Sequence, residues 1–426
     1  MTQELHSLLA PRGAEDVFPE LALSLFTVID SLYKKLSKAA VRDIYFLSRE
    51  GQPLMRLFEM YQLSHGDPHA PIACHYLEVS RRSTFMPSLV SLESERFDTL
   101  FRQYRAISLL EFLSNLGLEP HAERAAQALG VTMAVLTQRQ ADLPTSALYR
   151  ALLANPWFCQ LYETERLSRR SAFIDYLTDL SGGVLPETLH LVDVGWKGTI
   201  QDNLYRLLCD GAATAVQGID GYYVGLVAMG AANENNRKHG LLFASPGQLS
   251  THFHVFNENR ALFEVILAAD HGSVARYVHT DSGQALAVRS DFEEEDMVRT
   301  YIFPVQARLF QRFDALCRYF TSSDVGASAL LQLAARAHAR MVFMPSPDEM
   351  NWFSTVFHIE NFGVFESSRF NSNVRSTWLD RLRFTARLVR RHPGAVLGFW
   401  PWLTIHRQAL PGVAYAYRRY RSGSLA

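Results

Sequence analysis

Cysteine is scarce: Cys74, Cys159, Cys209 and Cys317 are the four in 426 residues, with no C-x-x-C pair. That argues against a disulfide framework and a structural zinc site, and it fits a reducing, cytoplasmic compartment. Long apolar runs are missing as well. No stretch reaches the roughly 18 apolar residues of a spanning helix, and the nearest, Pro393 to Ile405, is shorter and interrupted by proline. Residues 1–13 show no basic segment followed by an apolar run, so no signal peptide is expected. The signatures G-x-x-x-x-G-K-[ST], G-x-G-x-x-G and G-x-S-x-G are absent, which removes a P-loop, a dinucleotide fingerprint and a nucleophile elbow. Net charge is only -1, which argues against bulk nucleic-acid binding.

That near-zero charge is unevenly spread. From Val374 onward there are ten Arg and a single acid, Asp380, so this tail is +9 and the remainder -10. The tail interleaves Trp378, Phe399, Trp400, Trp402, Tyr415, Tyr417 and Tyr420 with its arginines. Arginine with interfacial aromatics suits a peripheral contact with an anionic membrane surface. The alternatives are aromatics packed on the body with solvated arginines, or RNA binding, which so apolar a stripe disfavours.

Hydrophobic residues at 48% and charged residues at 20% describe a globular chain, long enough for two or more domains. Residues 18–40 have apolar positions at helical spacing. Compact apolar runs rich in β-formers follow at 41–48 (VRDIYFLS), 74–80 (CHYLEVS), 188–194 (TLHLVDV) and 220–228, with 239–244 as a fifth candidate. The first and third runs end in a short polar loop and then a helical pattern, the start of a βαβ unit, and a helix is allowed after the second. The expected fold is α/β and Rossmann-like, a mainly parallel sheet with a large helical insertion and a helical C-terminal region. The expected divisions are 1–85 (first half of the core), 86–182 (insertion or cap), 183–250 (second half), 251–373 (helical) and 374–426 (basic aromatic tail).

Parallel strands present their C-terminal ends on one edge, where such sheets bind ligands. Three polar loops should therefore meet. Asp193-Val194-Gly195-Trp196-Lys197-Gly198-Thr199 opens a helix, and its backbone amides with Lys197 suit a phosphate. Asp193 could hold a metal, a hydroxyl or a ribose. The plainer reading is a tight strand–helix turn with Thr199 as cap and Trp196 as packing. Ser48-Arg49-Glu50-Gly51 offers a guanidinium for phosphate and a carboxylate for base or metal chemistry, or else a surface Arg–Glu pair. Ser80-Arg81-Arg82 places two adjacent cations, which point apart, so that one reaches the crevice or both are solvated. Glu264 lies among Phe263, Val265 and Ile266 as a semi-buried carboxylate or a surface one. His252 and His254 would share a strand face, a weak metal pair without a third ligand. The catalytic candidates are thus Asp193, Glu50 and Glu264, with Mg2+ on Asp193 as the cofactor the acids allow.

The segments DIYFLSREG, YLEVSRRS, LVDVGWKGTIQ, GYYVGL and ALFEVILAADHGS, across residues 41 to 277, together resemble a poorly characterised bacterial family. Its members are often labelled hydrolases of the haloacid dehalogenase superfamily and occur among surface-polysaccharide biosynthesis proteins. The resemblance implies an enzyme acting on a phosphorylated sugar, nucleotide-sugar or lipid-linked phosphate at the cytoplasmic face of the inner membrane. The phosphatase pattern D-x-D-x-[TV] is not present: at Asp193-Val194-Gly195 a glycine stands in place of the second Asp. No nucleophilic Asp is carried over, and a non-catalytic adaptor binding a phosphorylated ligand is the alternative. The layout around Asp193, Gly198 and Thr199 is also similar to type I phosphoribosyltransferases, as an analogy of site architecture only.

Overall fold

A computed structural model of the chain describes residues 3–13, 15–210, 214–245, 251–321, 325–362, 364–369, 377–391 and 396–423. Five strands form one sheet: β1 (Asp43–Leu47), β2 (Ala73–Leu77), β3 (Thr188–Asp193), β4 (Gly218–Leu226) and β5 (Asn236–Ala244). Their order is β2-β1-β3-β4-β5, and every neighbouring pair is parallel. The fold is the expected α/β, Rossmann-like one.

Period-two alternation explains why the sheet is covered on both faces. Along β1, Ile44 and Phe46 enter one core with Val192, Tyr222 and Val224. Tyr45 and Leu47 enter the opposite core with Leu189, Leu191 and Ile219. The first face is covered by the helix Leu21–Lys38, whose Leu21, Leu25, Val28, Leu32 and Leu36 recur at helical spacing and are fully buried. Helices Gly51–His65, Phe303–Thr321 and Ala327–Phe343 complete that layer. Phe173 and Leu177, from the C-terminal half of helix Pro156–Leu180, cover the second face.

The N-terminal half of that same helix belongs elsewhere. Phe158 and Tyr162 pack with Phe97, Phe112, Leu113 and Leu136 in a separate core built within the insertion. One continuous helix therefore joins the insertion to the sheet. The start of the insertion at residue 86 falls inside the helix Arg81–Ser88, whose Phe85 and Met86 already belong to the insertion core.

The region 251–373 differs from the expected helical run. It contains an antiparallel hairpin, β6 (Val274–His279) with β7 (Ala285–Arg289). Its turn is Thr280-Asp281-Ser282-Gly283, with Gly283 at φ 83°, turn chemistry placed between alternating residues. The hairpin covers the free side of β2 near its end. Tyr277 donates to the Glu78 carbonyl at 2.7 Å, and Ser80 donates to the Val274 carbonyl at 2.6 Å. Such cover blunts an edge strand. A second hairpin pairs β8 (Phe357–Phe362) with β9 (Val364–Arg369). His252 and His254 lie on the helix Thr251–Asn257, not a strand, so an i, i+2 pair points to different sides.

Part of the tail packs on the body. Its helices are Trp378–Val389, Pro401–Gln408 and Val413–Ser422. Trp400 and Trp402 are only 2% and 8% exposed, and the Trp400 indole donates to the Val342 carbonyl at 2.9 Å. These tryptophans anchor the tail to the body and are not membrane aromatics. Arg375 of the basic stripe lies outside the described residues.

Candidate functional site

The strand order places β2 on one side of β1 and β3 on the other, so the chain reverses direction between β1 and β3. In open parallel sheets that switch point opens a crevice beyond the carboxyl ends. The loops after β1 and β3 both begin there, and the peptides Ser48–Arg49 and Gly195–Trp196 in them are cis. A cavity of about 740 Å3 lies at this edge, lined by Arg81, Asp193, Gly195 to Ile200, Arg260 and Glu264, and by Val396, Phe399 and Arg421 from the tail.

Asp193 sits at the end of β3 on the cavity floor. Burial pushes its carboxyl up to about 8; the charges of Glu50 and Glu264 push the same way, while the Val194 amide and Arg81 oppose them. Desolvation and like charge both favour the neutral acid. Glu50, Asp193 and Glu264, from three distant segments, are thus close enough to sense one another. Glu264 is oriented by the Trp196 indole, which donates to its Oε1 at 2.8 Å. Trp196 in turn stacks on Phe243 with ring centroids 5.9 Å apart, and the Arg260 guanidinium lies over its ring at 5.8 Å.

The turn after β3 is shaped by close approach. Gly195 has φ 137°, and a Cβ there would stand 2.3 Å from the Gly225 carbonyl oxygen of β4. Only glycine fits. Gly198, at φ 67°, is the N-cap of the helix Thr199–Tyr205 and no side chain caps it; Thr199 is not the cap. Lys238 holds the turn from below, reaching the Lys197 carbonyl at 2.9 Å and the Asp202 carboxylate at 2.7 Å. The link from β4 to β5, residues 227–235, has no helix and is shorter than the usual crossover of about a dozen residues. It folds back over this turn, with Val227 N donating to the Trp196 carbonyl at 2.8 Å.

Several expected ligand groups are spent on structure. The Ser48 hydroxyl donates to the Val79 carbonyl at 2.7 Å and accepts from the Val79 amide at 2.9 Å, tying the end of β1 to that of β2. Arg49 is half-buried and held by Glu294 in an ion pair. Ser80 caps the helix Arg81–Ser88 through a reciprocal bond with Ser83. Arg82 turns to Glu119 of the insertion, whereas Arg81 lines the crevice. Gly51 is needed for close packing, because a Cβ there would meet the Phe46 backbone at 2.8 Å. Lys197 lines the cavity and is exposed.

Sequence reading missed Arg260, Glu258 and Arg421. Glu258 is fully buried, and burial raises its carboxyl to about 7 against the opposing charge of Arg421. It accepts from the Trp402 amide at 2.8 Å and the Tyr417 hydroxyl at 3.0 Å, and it pairs with Arg421 at 3.5 Å. The tail is thereby pinned to the crevice wall. The sole sequence signal is an acid beside the apolar residues of VFNENRALF.

Among the described residues, no group of three or more His, Cys, Asp or Glu side chains is placed to hold a metal ion. The charge of Arg81 reaches the carboxyl of Asp193 and opposes a second cation there. No family model matches this chain, and no curated protein matches it.

Proposed function

We propose that the crevice binds the phosphate of a phosphorylated sugar or nucleotide-sugar, and that the chain is a hydrolase or transferase of bacterial surface-polysaccharide biosynthesis. The observation that carries this reading is that Arg81 and Asp193 line one cavity together with Lys197, Arg260 and Arg421. Cations of this kind bind phosphate and offset the charge that develops on its oxygens. Asp193, kept protonated at neutral pH, would donate its proton to the leaving oxygen. Glu50 or Glu264 would accept the proton of the attacking hydroxyl or water.

A second reading has its own support. Gly195 stands where the phosphatase pattern has its second Asp, which favours an adaptor that binds the phosphorylated ligand without turning it over.

Calorimetric titration with hexose phosphates and uridine diphosphate sugars, with and without magnesium, tests the binding. Arg81→Ala should weaken binding roughly 10- to 100-fold, the loss of about 1.5–3 kcal/mol from a charge-assisted hydrogen bond. Arg82→Ala, whose partner Glu119 lies outside the crevice, should leave the affinity unchanged. Equal affinity in both variants refutes the site. Product formation by the native chain separates the enzyme from the adaptor.

A further inference from the structure

The helix Trp378–Val389 has three distinct faces. Phe384 and Leu388 turn inward and pack with Ile405 and Ala409. At 100° per residue, Trp378, Leu379, Leu382, Ala386 and Val389 fall within an arc of roughly 100° on another face. That face is open: Trp378 is 65% exposed, Leu382 42% and Val389 77%. Arg383, Arg387 and Arg390 follow along its margin, and all three are exposed. The only acid in the helix is Asp380, which joins Thr377 in a capping box at the N-terminus. An exposed apolar stripe bordered by arginine on one side is the pattern of a helix lying in a lipid interface. The arginine margin supplies the charge complementarity that selects an anionic leaflet.

The position of this helix adds to the case. It packs on the helices Pro401–Gln408 and Val413–Ser422, the second of which carries Tyr417 and Arg421 to Glu258 on the crevice wall. Between them, Val396 (72% exposed) and Phe399 (40% exposed) line the crevice mouth. The tail that carries the lipid-type face therefore also contributes, through residues beyond that helix, to the cavity lining.

We propose that the outer face of Trp378–Val389 docks on an anionic lipid surface and that the crevice takes a lipid-linked phosphate presented there. The second half of this proposal rests on the phosphate-binding reading of the crevice. Phosphate on an isoprenoid or diacyl lipid would enter past Val396 and Phe399, with its tail held by the bilayer and its phosphate on Arg81.

Sedimentation of the full chain with vesicles of phosphatidylglycerol and phosphatidylcholine, in a roughly one-to-two ratio, tests the surface. The triple variant Trp378→Ser, Leu382→Ser, Val389→Ser changes only exposed positions. It should bind these vesicles at least roughly tenfold less tightly than the native chain, with unchanged unfolding temperature and unchanged affinity for hexose phosphates. Native binding should fall steeply with salt and vanish on pure phosphatidylcholine. An isoprenoid phosphate added to the vesicles should strengthen binding by the native chain and not by Arg81→Ala. Absence of native binding, or equal binding by the triple variant, overturns the proposal while leaving soluble phosphate binding to stand or fall separately. A native dimer that the triple variant makes monomeric, with no vesicle binding, would assign the face to a second copy. RNA binding without vesicle binding would likewise overturn it.

Discussion

Asp193→Asn should be more stable than the native chain at pH 8, by a margin that disappears towards pH 4. The acid is raised from 3.8 to about 8 in the folded state. Between those values the native state holds a proton that the unfolded state has released. Stability must then fall as pH rises through that window, by up to about 1.4 kcal/mol per unit. Asparagine keeps an oxygen to accept the Val194 amide, which the native Oδ1 does at 2.7 Å, and it has no charge to desolvate. Denaturant unfolding from pH 4 to 9 should show the two curves diverging as pH rises, to a gain of a few kcal/mol, and running parallel above pH 8. If the chain is an enzyme, the same variant should lose turnover. Parallel curves across the whole range would show that Asp193 ionises as an ordinary exposed carboxylate, and its role as proton donor would fall with it.

Arg340→Ala should destabilise the protein by about 3–5 kcal/mol, the usual result of removing one partner from a buried ion cluster. Arg340 bridges Glu349, at 2.7 Å from each of its two terminal nitrogens, and also holds Glu20. Glu20 and Glu349 are only 8% and 2% exposed. Burial already raises the Glu20 carboxyl, with Arg340 opposing it. Without the arginine, two buried carboxylates face each other. Glu349 additionally accepts from the Phe18 amide at 2.9 Å and the Ser346 amide at 2.7 Å, so the junction of the N-terminal segment with helix Pro347–Thr355 loosens. The Glu20 carboxyl, already raised by burial, would then lose the arginine that opposes that rise. The penalty from Glu20 is full above its raised proton affinity and shrinks as acid neutralises it. A loss under 1 kcal/mol at pH 7, or one that grows in acid, would contradict this account.

The sheet is legible in the sequence because its strands are short apolar runs punctuated by polar turns, the pattern that a parallel sheet covered on both faces imposes. β1, β2 and β3 can be placed in this way, and with them the shared edge where Arg81 and Asp193 line one cavity. The hairpin β6–β7 is harder to see because its Ala, Val and His residues also fit a helical region, and the turn Asp281-Ser282-Gly283 is the one cue that separates the two. Side-chain direction is not legible at all. Nothing local distinguishes Arg81 from Arg82, and the choice is made by Glu119, some forty residues later, which captures the second. Glu294 captures Arg49 in the same manner. The tail misleads for a related reason. Trp400 and Trp402 look like interfacial aromatics in sequence, and only the Val342 carbonyl and the Glu258 carboxylate show that their place is inside.

The most direct measurement is a crystal structure of the chain soaked with a uridine diphosphate sugar. The account predicts phosphate oxygens within about 3 Å of the Arg81 guanidinium and the turn Gly195–Thr199, with Asp193 beneath them on the cavity floor. A phosphate bound elsewhere, with the Arg81 guanidinium left facing an empty crevice at saturating ligand, would contradict it.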